Sequence, residues 1–450
     1  MNSTTKTTTG NAAKGARSDE NLNQLRLLPG RRYTSSEFAA AEWEQMWTKA
    51  WLLLGRESEM PEPGDYQVEE IGLESILMVR QKDGGVRAFY NVCQHRGNRL
   101  VGAECGGVDH FVCAYHGWKW GLDGGLEWVK DAEDFPADTC QKVRLAEIKC
   151  ETFAGFVWVN MDPDCCSLRE YLGPVWDLLQ AFPLPDMRRY MALTTRVPCN
   201  WKCVHDNFNE SYHVGVLHPQ SSGHIDDNYK DTGFFTYNNG HSLMKMKSGR
   251  PARRGDKWSE PTPMLETLMH MWELNPDDFK GRPAAVREAL QQQKRKLGPS
   301  RGYKHYEQLS DEQLTDFMHF FIFPNISASI TADGCHFLRA RPSRNDPGQC
   351  VFDNWFYATE PEGVTTPVVL PGAIVTTVPR GTDVPHEFIE YGSRSLGLGI
   401  DQDMSANIGQ QLGFQSRGYK GGLLAGQENR VRHFHDTIDG YIAGHKPVRA

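Results

Sequence analysis

Cys93-Gln94-His95-Arg96-Gly97 and Cys113-Ala114-Tyr115-His116-Gly117-Trp118 are the stretches that decide how this chain is read. Each carries one soft thiolate and one imidazole. Arriving as two short pairs, they form the donor set of a mixed-ligand [2Fe–2S] cluster, a Rieske centre, in which two cysteines hold one iron and two histidines the other. Neutral imidazoles in place of two thiolates leave such a cluster less negative, so it accepts an electron more readily. A Cys2His2 zinc site uses the same four residue types. Zinc sites of that kind usually keep the cysteines together and the histidines together, whereas each stretch here holds one of each. Arg96 and Gly97 follow His95 where a further cysteine would stand, so no disulfide between the two loops is available from that position.

At 450 residues the chain has room for two or three domains and a large core. A net charge of −8 argues against nucleic acid as a main partner, since a basic footprint is expected there. No run of about 18 apolar residues occurs, so no membrane span is expected. Residues 1–25 are rich in Thr, Asn, Ala, Gly and Ser and lack the apolar stretch of a secretory signal; they read as a mobile tail. Eleven cysteines are too sparse for a disulfide scaffold. Those outside the two stretches read as reduced thiols of a cytoplasmic protein.

Thr34 with Glu37 reads as the capping box of a helix, and Trp43, Met46, Trp47 and Ala50 then share one apolar face. From about Tyr66 to Asn160 the pattern turns to short β-rich runs between turns such as Asp83-Gly84-Gly85 and Asp123-Gly124-Gly125. This predicts an antiparallel β domain with the two Cys/His loops inside it. A second capping box, Ser167 with Glu170, marks the next boundary. Beyond it helices are predicted at 202–214, 263–273, 284–297, 310–319, 401–413 and 427–443, and strands at 189–197, 319–341, 351–359 and 372–378. The last helix carries Val431, Phe434, Ile438, Tyr441 and Ile442 on one face. Lys294-Arg295-Lys296 reads as a solvated helix face, or second as a docking patch for an acidic partner.

A second dense constellation runs from Asn200 to Pro219 and contains His213 and His218 with nearby carboxylates. Two histidines and a carboxylate can hold non-haem Fe(II) and leave open positions for O2. In a continuous helix, residues five apart sit about 140° apart and would not share a face. Gly215 and Pro219 therefore predict a helix end near Gly215, bringing His218 back toward the metal. Glu210, three before His213, is expected on the same helix face, with Asp206 on that stripe. An amphipathic helix with two incidental histidines remains the alternative from these residues alone.

The chain resembles the catalytic α subunit of Rieske non-haem iron oxygenases, the ring-hydroxylating dioxygenase family. The resemblance rests on 91–97, 113–118, Asn200-Trp201-Lys202, 206–219, and Asp401-Gln402-Asp403-Met404 followed by 411–416. It implies an α+β fold: an antiparallel β Rieske domain over 56–166, and a catalytic domain over 167–450 whose curved antiparallel sheet is surrounded by helices, of helix-grip type. Residues 26–55 then form an N-terminal helix packing on the catalytic domain. By the same resemblance Cys93 and Cys113 ligate one cluster iron, and His95 and His116 the other. His213 and His218 bind the mononuclear iron, with Asp403 as third ligand and Asp401 as the alternative. Glu210 takes the place of an acid that links a cluster histidine of one subunit to an iron-binding histidine of its neighbour. Many aromatic-ring dioxygenases have Asp there and other branches Glu, so the substrate class stays open. Asn207 matches an Asn close to the iron; His205 lies outside the pattern and reads as structural.

The implied function is that of a terminal oxygenase. O2 and electrons from NAD(P)H, delivered by a separate reductase or ferredoxin, hydroxylate an aromatic or polycyclic substrate in an apolar pocket lined by residues such as Phe208. Monohydroxylation and oxidative O- or N-demethylation, including that of quaternary amines, use the same metal set. No Gly-x-Gly-x-x-Gly signature is present, so NADH binding by that motif is not expected. An electron carrier using the cluster alone would leave the second ligand set without a purpose. The resemblance also implies a trimer, α3 or α3β3 with a small β subunit.

Overall fold

A computed structural model describes residues 27–253, 258–360, 368–369, 375–376, 381 and 384–445 of the protein. The tail expected at 1–25 lies outside the described residues. So does most of the strand expected at 372–378, of which Val375–Thr376 is described.

The N-terminal half is built on a seven-stranded antiparallel sheet. Its strands are β1 (Leu52–Arg56), β2 (Asp65–Ile71), β3 (Glu74–Arg80), β4 (Val86–Tyr90), β5 (Cys105–Gly107), β9 (Glu147–Phe153) and β10 (Phe156–Asn160), in the order β1-β10-β9-β4-β3-β2-β5. A small sheet of β6 (Phe111–Val112), β7 (Lys119–Trp120) and β8 (Leu126–Trp128) stands beside it. Alternate residues of a strand point to opposite faces. On β3, Ile76 and Met78 join the main core, while Leu77 and Val79 join a second core with Phe89, Cys93, Cys113 and Trp120. Burial on both faces explains the unbroken apolar run from Ile76 to Val79.

The C-terminal half holds a curved eight-stranded sheet. It comprises β11 (Arg188–Val197), β12 (Gly233–Thr236), β13 (Ser242–Met246), β14 (Phe317–Ile322), β15 (Ile326–Ile330), β16 (Gly334–Pro342) and β17 (Cys350–Ala358). A short pair, β18 (Val368–Val369) and β19 (Val375–Thr376), lies apart, and β20 (Glu387–Ile389) completes the sheet in the order β12-β13-β14-β15-β16-β17-β11-β20. Every neighbour is antiparallel except the parallel pair β11–β20. Register aligns Phe320, Ala328, Phe337 and Trp355 on one face, and Phe337 stacks on Phe156 of β10 at 4.9 Å. That face therefore packs on the N-terminal sheet. The other face aligns Met244, His319, Ser329, His336 and Phe356. Helices Trp201–Phe208, Leu398–Phe414 and Asn429–Ile442 lie on that side; His205 Nδ1 meets Ser327 Oγ at 3.0 Å, and Phe434 meets Phe321 edge-on at 4.9 Å. Val431, Phe434, Ile438 and Tyr441 are all buried, as their shared face requires.

Four local expectations are corrected. The helix expected from Thr34 is capped by Ser35 instead, because Thr34 ends a short helix, Arg31–Thr34: Ser35 Oγ accepts from Phe38 N, and the helix Ser36–Glu42 runs on into a π turn, Trp43–Trp47. The helix expected at 310–319 stops at Thr315, because Phe317 already pairs with Met246 in the sheet. The long strand expected at 319–341 is three strands, β14 to β16. Lys294 is neither solvated nor a docking group: it is buried, and its Nζ donates to Leu314 O and Asp333.

Candidate metal centres

The two Cys/His loops have the same backbone design. Cys93 N donates to Asn98 O and Gly97 N returns to Cys93 O; Cys113 N donates to Trp118 O and Gly117 N returns to Cys113 O. Gly97 and Gly117 have φ of +69° and +74°, the left-handed region that favours glycine. The sequence signal for this was a glycine four residues after each cysteine. The two thiols are buried and the two histidines half-buried at the surface. The rings of His95 and His116 stand 4.6 Å apart, and His95 stacks on Trp118 at 4.5 Å. Burial pushes the Cys93 thiol up. Burial also resists ionisation of Cys113, but N–H groups of Tyr115 and His116 together with the Cys93 thiol outweigh it and bring Cys113 down. His95 Nδ1 is buried with no hydrogen-bond partner among the described residues. Two adjacent thiols, two adjacent imidazoles and one orphaned imidazole nitrogen fit a mixed-ligand cluster.

The second centre is built from three helices. Asn200 starts the first by accepting from Lys202 N, and Gln411 from the Leu398–Phe414 helix accepts from Asn200 N. The helix ends at Phe208, earlier than the expected break at Gly215. Glu210 therefore does not share a helix face with His213; it lies in the break. There its Oε2 accepts from the N–H groups of Tyr212 and His213, and its Oε1 meets His213 Nδ1 at 2.5 Å. A single turn, Val214–Leu217, follows, with His213 at one end and His218 at the other. One turn between them brings the two rings to 5.1 Å.

Asp403 comes from the Leu398–Phe414 helix. Its Oδ1 lies 2.8 Å from His218 Nε2 and 3.6 Å from His213 Nε2. One ligand atom from each of His213, His218 and Asp403 falls within 4.8 Å of the others. Asp401 is turned away: Ser395 Oγ and Leu396 N donate to its carboxylate. Gln402, which lies inside the 401–404 stretch but is assigned no role by the sequence, has its Oε1 2.8 Å from His218 Nδ1. Burial disfavours protonated His218, but the contacts with Asp403 and Gln402 outweigh it and raise its pKa.

Asn207 is buried and its Nδ2 has no partner among the described residues. Asp206, expected on the Glu210 stripe, instead accepts from Tyr33 and lies 2.9 Å from His435 Nε2. His205 is fully buried and pushed down to about 3, so it is a neutral packing group. Phe208 is half-buried, 6.2 Å ring to ring from His319. Beside it the sheet is not apolar: the row His319–Ser329–His336 faces this centre, with His319 in the field of His213 and His336 in that of Asp403.

Residues 184–444 match the family described as ring hydroxylating alpha subunit (catalytic domain), and residues 50–146 match the Rieske [2Fe-2S] domain. The chain belongs to the ring-hydroxylating oxygenase α-subunit family. This α subunit is 33% identical over 299 residues to the carnitine monooxygenase oxygenase subunit of Escherichia coli K12, covering 65% of this chain and 79% of that one. It is 35% identical over 211 residues to the large oxygenase component of the naphthalene 1,2-dioxygenase system of Pseudomonas aeruginosa, covering 45% of this chain and 46% of that one. Solved structures share the fold. A quaternary ammonium Rieske monooxygenase aligns with a TM-score of 0.65 at 22% identity, over 92% of this chain and 95% of that one. Naphthalene 1,2-dioxygenase with indole bound aligns at 0.66 and 22%, over 93% and 92%.

As a ring-hydroxylating α subunit, the protein is an O2-incorporating terminal oxygenase with a Rieske [2Fe–2S] cluster and a mononuclear iron. Its relatives are oxygenase components that work with separate electron-transfer partners. Among the described residues no helix is long and apolar enough to cross a membrane.

Proposed function

We propose that this α subunit is a monooxygenase of a small polar organic substrate, oxidised beside an iron held by His213, His218 and Asp403. Cys93 and Cys113 with His95 and His116 hold the cluster. The Rieske domain is assigned to 56–166 and the catalytic domain to 167–450, with 26–55 before them; at the end of that last stretch β1, Leu52–Arg56, pairs with β10 and so belongs to the Rieske sheet. The observation that carries the substrate reading is the row His319–Ser329–His336 facing the iron ligands. His319 Nδ1 pairs with Ser329 Oγ and His336 Nε2 with Asn354 Oδ1, but His319 Nε2 is buried with no partner among the described residues, and a polycyclic hydrocarbon would leave it unsatisfied, which is costly. The similarity to a carnitine monooxygenase subunit over 79% of its length supports the same reading. Hydroxylation of an aromatic or polycyclic substrate is the second reading, favoured by Phe208 and by the naphthalene 1,2-dioxygenase relative.

The cluster supplies electrons one at a time, and the iron, with two histidines and a carboxylate, supplies open positions for O2 beside the substrate. The chain's own residues orient the ligands. Glu210 accepts the Nδ1–H of His213, and Gln402 that of His218, so each ring turns its Nε2 toward Asp403. Asn207 Nδ2 is a donor with no partner among the described residues and positions the substrate or O2. In a trimer, α3 or α3β3, Glu210 joins His213 to a cluster histidine of a neighbouring subunit. Electrons reach the cluster from an NAD(P)H-dependent reductase, directly or through a ferredoxin. None of the eleven cysteines is in a disulfide, which supports a reducing, cytoplasmic location.

The test is O2 uptake with a reconstituted reductase, with products identified, over methylated amines, aryl ethers and naphthalene. Formaldehyde or a single alcohol from a polar substrate is the expected result. A cis-dihydrodiol from naphthalene, with no turnover of the polar members, selects the second reading.

A further inference from the structure

We propose that the buried guanidinium of Arg430 is an anion subsite of the substrate pocket, so that the substrate carries a carboxylate or an equivalent anionic group; this rests on the polar-substrate reading above.

Arg430 lies in the first turn of the Asn429–Ile442 helix and is 0% exposed. Its Nε donates to Ser242 Oγ at 2.9 Å and its Nη2 to His319 O at 3.2 Å. Nη1 is buried with no partner, and no carboxylate lies within ion-pair distance of the group among the described residues. The other deeply buried arginines are treated differently. Arg339 and Arg341 share Asp353 and Glu69, and Arg56 places its terminal nitrogens on the carbonyls of Leu184, Pro185 and Met187. Arg430 alone among these keeps a whole terminal nitrogen unengaged. A buried unpaired charge is strongly destabilising unless something pairs with it. Burial pushes Arg430 down to about 9, so it still carries its charge at neutral pH.

Its position points toward the iron ligands. The two oxygens it binds belong to adjacent strands, β13 and β14, and the second is the carbonyl of His319, whose ring faces the centre. Glu210 and Tyr237 are the groups whose fields reach it. Glu210 does not neutralise it at close range, because that carboxylate is engaged by Tyr212 N, His213 N and His213 Nδ1. A second donor stands on the same strand. His319 Nδ1 is 2.7 Å from Ser329 Oγ; with that hydroxyl donating, Nε2 carries the hydrogen, and Nε2 is buried and unpartnered. A guanidinium N–H and an imidazole N–H, both buried and without a partner among the described residues, are the donors a carboxylate takes, and charge-assisted hydrogen bonds are the strong ones. A neutral amide of the same shape has one acceptor and puts N–H against N–H.

The experiment is calorimetric binding to the metal-loaded, anaerobic oxygenase. The probes are isosteric pairs: benzoate and benzamide, 3-phenylpropionate and its amide, 4-(trimethylammonio)butyrate and its amide. At least one carboxylate is expected to bind about tenfold more tightly than its amide, and Arg430→Gln to reduce that ratio to near one. If no carboxylate in the panel binds more tightly than its amide, or if the ratio survives Arg430→Gln, the proposal is overturned. Should Arg430→Gln fail to fold, Arg430→Lys keeps the charge but loses the fork; its ratio is expected to drop at least about threefold, and an unchanged ratio overturns the proposal. Binding is measured without turnover, so the two readings fail separately: conversion of naphthalene alone sinks the monooxygenase reading, and the binding ratios alone decide the role of Arg430.

Discussion

Asp401 and Asp403 stand two positions apart on one helix, about 200° around its axis. Asp403 meets both histidines, while Asp401 accepts from Ser395 and Leu396 in the preceding turn. Asp403→Ala is therefore expected to lose the mononuclear iron and keep the cluster, measured by iron analysis and visible absorption. Asp401→Ala should keep both metals and lose about 1 kcal/mol of stability, the usual worth of a carboxylate at a helix N-terminus. Glu210 has a different kind of importance. Glu210→Gln nearly preserves shape but removes the charge facing His213 Nδ1. Both metals should stay bound and the cluster should still reduce. Single-turnover kinetics should show cluster oxidation slowed at least about tenfold, since charge-assisted contacts are roughly twice as strong as neutral ones. Wild-type cluster oxidation in this variant would remove Glu210 from the path between the metals.

At the scale of elements, short irregular pieces do the positioning and long regular ones hold them. Both Cys/His loops turn on a glycine with positive φ. A Cβ on Gly97 would meet nothing within 4 Å, so Gly97→Ala isolates the backbone term. The cost of a left-handed alanine is about 1–2 kcal/mol. An unfolding free energy from urea titration lowered by that amount, with slower cluster incorporation, is expected; an unchanged value would show that the loop relaxes at no cost. The break at Asn209–Ser211 has the same logic. It frees Glu210 to reach His213 Nδ1, and the single turn that follows brings His218 round so that both histidines face Asp403.

At the scale of the whole molecule, burial sets the acid limit of stability. His205 and His241 are pushed down to about 3 and His224 to about 4, each by desolvation first. Unfolded, each takes a proton below about 6.5. The unfolded chain thus binds more protons between about pH 6.5 and those values, and stability falls as pH drops through that window. Each group contributes about 1.4 kcal/mol per pH unit once the unfolded form is fully protonated. Urea midpoints at pH 7, 6 and 5 should decline increasingly steeply. His241→Gln should flatten the decline by about one proton, even though it loses the contacts to Tyr171 O and Phe323 N. A slope unchanged by that substitution would show that His241 is not part of the acid response.

The sequence by itself determined the family and singled out the two Cys/His loops and the His213–His218 pair as candidate ligands, because each segment carries its chemistry within a few residues. Cys-x-His and Cys-x-x-His are local, and so are the Ser167–Glu170 capping box and the two-faced apolar run of β3. Only the tertiary structure decided what depends on partners far along the chain. It turned Asp403 rather than Asp401 toward the histidines, because 185 positions of chain separate His218 from its carboxylate. It ended the helix at Phe208 and divided 317–342 into three strands, where alternation along one segment gives no sign of the partner strand. It brought His319, His336 and Arg430 from separate elements toward one centre, although none belongs to a local motif, and it gave Gln402, beside Asp403 in sequence, its contact with His218. Short-range chemistry is written in spacing; the polarity of a pocket is written in register, which a single strand does not contain.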